Sequence, residues 1–347
     1  MKTPPDPRRY EQAGQSHLAS LLAAAASSPA SQHSIRAALG QELARLLAEN
    51  SEHDVRLAAG GALSPSHTRL LLQALDHALM PPSSAAGAPT QMFAIPVLLV
   101  TGGSAGAVLP CVVPDVGELV RLFESTGALG RTKNFGLSNA LTSLDSLEAL
   151  PWRTLYRIAR GDSPAELGGL DLPPADVVLR SSDEQVALRF LPGAAVAPAD
   201  TASFVESAGD VGRWGMAFTQ ALARQLSRNG LTVLPIPRPP TSIPRAAREG
   251  RFAHAELAFQ LFLSGALRRA RMHFGDPDVT VAAFADASVG VRLASPFDRS
   301  SVEEYRWPLG PADDLAEVAR SIFDLLAEVR LDRITVLDTV QPAVRPD

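Results

Sequence analysis

The stretch VTGGSAGAV at residues 100–108 follows the apolar run FAIPVLL and sets Ser104 among Gly102, Gly103 and Gly106. A strand that breaks into such a turn can expose the serine hydroxyl as a nucleophile, cradle an anion on backbone N–H groups, or only reverse the chain. Nucleophilic use makes the heaviest demands. A base must take the hydroxyl proton, and paired donors must hold the oxyanion that forms.

The five residues GGSAG satisfy the G-x-S-x-G pattern and resemble the nucleophile elbow of α/β-hydrolase esterases, which implies a hydrolase with Ser104 as its catalytic residue. The elbow needs a helix directly after the serine, whereas AVLPCVVP supplies two prolines and a strand-like pattern. The bases downstream are His254 and His273, both in or at the end of a helical pattern, with Asp276, Asp278 and Asp286 available to orient one of them. These missing parts favour a tight corner in which the Ser104 hydroxyl serves its own backbone.

An anion cradle is the milder alternative. The turn is neither G-x-x-x-x-G-K-[ST] nor G-x-G-x-x-G, and no lysine follows it closely. Lys133, with Arg131, lies in a second glycine-bounded loop, GALGRTKNFG. Closure of that loop over residues 102–106 would make Gly102, Gly103, Gly106, Arg131 and Lys133 a phosphoryl-ligand site.

Charge points elsewhere. Lys2 and Lys133 are the only lysines, so 30 of the 32 basic residues are arginine. Between 238 and 271 seven arginines face two glutamates, while 276–347 carries 14 acids against seven arginines. Arg245, Arg248 and Arg251 recur every three residues on one helical face, an anion or acidic-partner surface unless they are solvated and paired. Few aromatics interleave with them, and the formal charge of the chain is -5. Both argue against a nucleic-acid partner.

The seven histidines show no metal-ligand spacing, and the one cysteine, Cys111, can form neither an internal disulfide nor a thiolate cluster. Its apolar setting, VLPCVVP, reads as a buried inert thiol in a reducing, cytoplasmic compartment. No metal and no cofactor are expected. LASLLAAAASSPASQ imitates a secretory signal, but its flank carries Asp6, Glu11 and three prolines, and no run reaches the length of a membrane span.

These groups need elements to hold them. Residues 1–10 read as a mobile tail and 11–80 as three helices. The Pro/Ser/Ala/Gly stretch 81–91 reads as a linker, and 92–347 as a mixed-sheet domain with packed helices. FAIPVLLVT and AVLPCVV read as strands pushed toward edges by Pro96 and Pro110, and ADVVLRSSDEQVALRFLPG as a hairpin. DVGELVRLFESTG is a helix opened by Asp115, and 244–274 a long helix open to a break at Gly250 or Gly265. Frequent hairpins exclude a purely parallel sheet, so the fold class is α+β. The reading that follows is a soluble protein acting through its surface, as an adaptor, regulatory or assembly component whose partner is another protein or a second copy. The alternative is a hydrolase or phosphoryl-ligand enzyme built on the 102–106 turn.

Overall fold

The computed structural model describes residues 17–24, 32–60, 64–79, 90–102, 109–129, 134–160, 179–180, 184–196, 211–227, 231–285, 287–297 and 302–341. It is an α+β protein with two sheets, and it divides into compact units at Met1–Gly250 and Arg251–Asp347. Of the segment 81–91, only Thr90 and Gln91 are described, and they form the first rungs of a strand. The tail 1–10 lies outside the described residues.

After a helical stretch at 17–24, which adds Leu18 and Leu22 to the same core, the first unit continues with helices α1 (Gln32–Ala48), α2 (Glu52–Gly60) and α3 (Pro65–Leu79). Leu39, Leu43, Leu46 and Leu47 repeat at helical spacing and bury against Leu71 and Leu75 of α3. Ser64 caps α3, with Pro65 in the first helical position, where its missing N–H costs nothing. Trp152 and Tyr156 pack against this helical core.

β1 (Thr90–Gly102) is the central strand, flanked by β4 (Glu184–Val196) on one side and by β5 (Thr232–Pro237) and β6 (Thr241–Ser242) on the other. β2 (Asn134–Leu137) and the two-residue β3 (Leu179–Arg180) pair with β4. The expected hairpin is therefore present as β3–β4. Phe93, Ile95, Val97 and Leu99 face α4 (Val116–Thr126) and α7 (Val211–Leu226), whose Phe123, Trp214 and Phe218 stack in the same core. α4 is capped as the sequence requires: Asp115 accepts the Glu118 N–H, and Gly127 ends the helix in the left-handed region. Two short helices, α5 (Leu144–Glu148) and α6 (Trp152–Ala159), follow β2.

Two strand expectations need correction. Pro96 does not drive β1 to an edge. β5 pairs with β1 from Val97 onward and β6 with Phe93 and Ala94, so Pro96 faces the gap where one strand gives way to the other. Its carbonyl accepts the Arg238 N–H there, and no ladder bond is lost. Conversely, Leu109–Val113 is not a strand. Val112 makes one isolated bridge with Ala140, and Cys111 is half-buried rather than sequestered.

Helix α8 (Ile243–His273) runs without a break. Gly250 is small because the Phe190 ring and Leu144 crowd it, which makes it a packing glycine and not a breaker. In the second unit α8 and α9 (Leu315–Glu328) cover one face of a sheet ordered β10-β7-β8-β9. β7 (Asp278–Phe284), β8 (Ser288–Ala294) and β9 (Val302–Pro308) form an antiparallel meander, and β10 (Ile334–Gln341) lies parallel to β7. Phe259, Leu263, Val281, Val291, Trp307 and Ile322 form its core. Among the described residues no helix is long and apolar enough to cross a membrane.

Candidate functional site

Gly102, exposed, is the last residue of β1 and pairs with Glu184 and Thr232. Gly103, Ser104 and Gly106 lie outside the described residues, as do Arg131 and Lys133. The strand residues that flank these two loops stand far apart, while Leu109 and Leu129 on their other sides belong to one apolar core. Asn134 pairs with Val196, which is also the partner of Thr90, so Asn134 and Gly102 stand at opposite ends of the β1–β4 ladder. Twelve residue steps of strand is roughly 40 Å.

His254 and His273 lie on α8, the first half-buried and the second exposed in the last turn. Asp276 and Asp278 are taken by arginines: Arg271 Nε donates to Asp276 at 2.9 Å, and Arg333 pairs with Asp278 at 3.2 Å. Asp286 lies outside the described residues. Among the described residues no three His, Cys, Asp or Glu side chains gather as a metal site.

The arginine row is where titratable groups do converge. Arg245 Nε donates to Glu249 at 2.6 Å, and Arg248 approaches the same carboxylate at 3.7 Å. Arg251 is half-buried and reaches Gly310. The sequence reading missed the partner of the first two, Asp76 of α3. Its carboxylate accepts the Ser242 hydroxyl at 2.7 Å and lies in the field of Arg245, Arg248 and Glu249. Burial pushes the Asp76 carboxyl up to about 6, against the Ser242 hydrogen bond and the two guanidinium groups, which favour its charged form; Glu249 adds to the rise. The signal was present in the sequence. Leu72, Asp76 and Leu79 follow one helical stripe, so a carboxylate sits where the pattern calls for an apolar residue.

The cluster thus carries two arginines, one exposed glutamate and one carboxyl that titrates near neutrality. It can bind or release a proton close to physiological pH, and its net charge moves between about +1 and zero as it does. Its arginines are committed to carboxylates, so they do not form a bare cationic face.

In the second unit an open cleft of about 310 Å³ runs between α8 and α9, floored by Leu263, Leu267 and Leu325 and rimmed by Arg268, Arg271 and Glu328. Arg271 is held there by Asp276 and by the Val329 carbonyl.

A different surface is apolar. On the face of the first sheet turned away from α4 and α7, Leu98 is directly opposite Ile236, and Val100 opposite Leu234. Leu234 is 49% exposed and Ile236 43%, while Leu98 and Val100 are half-buried. Four apolar side chains therefore share one accessible patch. β5 bounds it as an edge strand armoured by Pro235 and Pro237, and the outward Pro235 carbonyl is already taken by the Thr219 hydroxyl at 2.8 Å.

No protein-family model matches the chain, and no significant similarity links it to a curated protein or to a solved structure.

Proposed function

We propose that the protein works through its surface, as an adaptor, regulatory or assembly component in the cytoplasm, by associating with another protein or with itself. The observation that carries this reading is the row Leu98, Val100, Leu234 and Ile236. Side chains of this size on a β-sheet face are ordinarily covered, because each buried one contributes on the order of 1.5–3 kcal/mol. Contiguous exposed apolar side chains mark association sites more often than catalytic ones. The half-buried lone Cys111 suits a reducing compartment.

A photo-crosslinking residue at position 236, with a control at the exposed Arg121, tests the proposal in cells. One discrete adduct from 236, absent from 121 and lost when Leu234→Glu is added, supports it. No adduct, or the same diffuse set from both positions, overturns it.

A further inference from the structure

The free edge of β5 is closed to strand addition. Arg238 N–H donates to the Pro96 carbonyl at 2.8 Å, so the peptide groups of Ile236 and Leu234 also turn toward β1. The outward positions are then Val233, Pro235 and Pro237. The prolines have no N–H to offer, and the Val233 N–H already donates to Ser227 Oγ at 3.1 Å. The Pro235 carbonyl accepts the Thr219 hydroxyl. A partner on this side of the sheet must therefore engage side chains on its face, not backbone at its edge.

The open part of that face has a definite width and one charged end. Gly250 of α8 seats on the Phe190 ring, and beside the patch Leu188 and Val186 of β4 are buried. What remains is the two-strand strip β1–β5, about 10 Å across, which is the width of one α-helix. Along β5 the exposed residues alternate as Thr232, Leu234, Ile236 and Arg238. Arg238 lies opposite Pro96, two residues beyond Ile236, so it ends the apolar row on the same face. Arg245 and Arg248 share Glu249, whereas Arg238 makes no ion pair among the described residues. From Leu234 to Arg238 is roughly 14 Å, between two and three helical turns. The planar fork of an arginine at the end of an apolar strip is matched by a carboxylate.

We infer that the β1–β5 strip seats one amphipathic helix of a partner protein. The apolar stripe of that helix covers Leu98, Val100, Leu234 and Ile236, and an Asp or Glu one turn beyond the stripe pairs with Arg238. The inference rests on the surface-acting reading above and names the chemistry of its partner.

Selection from a displayed library of helical peptides, each about four turns long and randomised along one face, tests it with the purified full chain as bait. Wild type is expected to enrich apolar residues at i, i+3 or i+4 and i+7, with Asp or Glu one turn beyond. An enriched peptide should bind Arg238→Glu at least about tenfold more weakly, the scale of a charge-assisted pair. Changing its acid to Lys should restore that binding. It should not bind Leu234→Glu. Both substitutions replace exposed side chains, so circular dichroism melts of the variants should match wild type. A selection without this pattern, or peptides that bind Arg238→Glu and wild type alike, overturns the inference. Sedimentation showing a dimer dissolved by Leu234→Glu would make a second copy the occupant and overturn it too, while leaving the surface-acting reading in place. That reading falls separately, if crosslinking from position 236 yields no discrete adduct.

Discussion

The Glu52 carboxylate closes the start of a helix 100 residues further along the chain: Oε1 accepts the Trp152 N–H and Oε2 the Arg153 N–H, each at 3.1 Å. These are N–H groups at the start of α6 that have no partner within the helix. Glu52 is also paired with Arg56 at 2.8 Å, and that guanidinium lies over the Trp152 ring at 4.9 Å. One carboxylate therefore joins the α2 end of the N-terminal helices to α6. Glu52→Ala should cost about 1–2 kcal/mol in a denaturant titration, the range of a lost helix cap with charge-assisted bonds. Arg56→Ala should cost less, since its pair is half exposed.

Asp76 makes stability depend on pH in an uncommon direction. Its folded-state value, about 6, lies above its ordinary value of 3.8, so the folded state holds the proton more tightly than the unfolded state. The associated stability is fully present below pH 3.8 and is lost as pH rises toward 6, by on the order of 2–3 kcal/mol. Asp76→Asn keeps an acceptor for Ser242 and removes the buried charge. It should raise the melting temperature by a few degrees at pH 7.5 and leave it nearly unchanged at pH 4. Equal effects at both pH values would contradict this assignment.

The two guanidinium groups beside Asp76 restrain that shift. In Arg245→Gln/Arg248→Gln the carboxyl should titrate higher still, which NMR of the Asp76 side chain would read directly. Stability at pH 4 should change by under about 1 kcal/mol, because Arg245 is exposed, Arg248 is partly exposed and Asp76 is neutral there.

Gly193 lies directly opposite Phe93 in the β1–β4 ladder, and a Cβ at that position would overlap the ring carbon Cζ. Gly193→Ala should therefore cost about 1–3 kcal/mol through forced repacking. Gly102→Ala, where a Cβ would meet nothing within 4 Å, should be close to neutral. The pair of melts separates crowding from a general intolerance of substitution in β1 and β4.

On the tight-corner reading of the sequence, Ser104→Ala should leave the fold intact at a cost of about 1 kcal/mol, the typical value of one hydrogen bond. Labelling of Ser104 by an active-site serine reagent, lost on prior heat denaturation, would reverse this expectation and favour an esterase-like enzyme.

The sequence allowed the α+β class to be read, because hydrophobic period and capping agree over α1, α3, α4, α7 and α9. Asp115, Ser64 and the row Val211, Trp214, Phe218 and Leu222 all act locally, and local signals are visible in one chain. What it could not show depends on pairing at a distance. Pro96 looked like an edge residue until β5 and β6 were seen to divide one side of β1 between them. Gly250 looked like a breaker until Phe190 was seen to occupy its missing side chain. Asp76 acquires its meaning only from Ser242, 166 positions later. The charge run containing Arg245 and Arg248 was legible with Glu249 inside it, but Asp76, the buried carboxylate brought to it from another helix, was not.

The central position of β1 has a consequence for how the chain reaches this structure. Gly102 pairs with Glu184, its nearest strand partner in sequence, and every other rung of β1 waits for residues still later in the chain. At roughly 5–20 residues per second on a ribosome, those 82 positions take about 4–16 s to emerge. For that interval the segment FAIPVLLV has no β-partner, which is far longer than the microseconds in which a hairpin closes. Synthesis of this protein therefore includes an obligatory period in which its most apolar strand is open to chaperones and to aggregation. Substitutions that slow formation of β4 should lower yield before they lower stability.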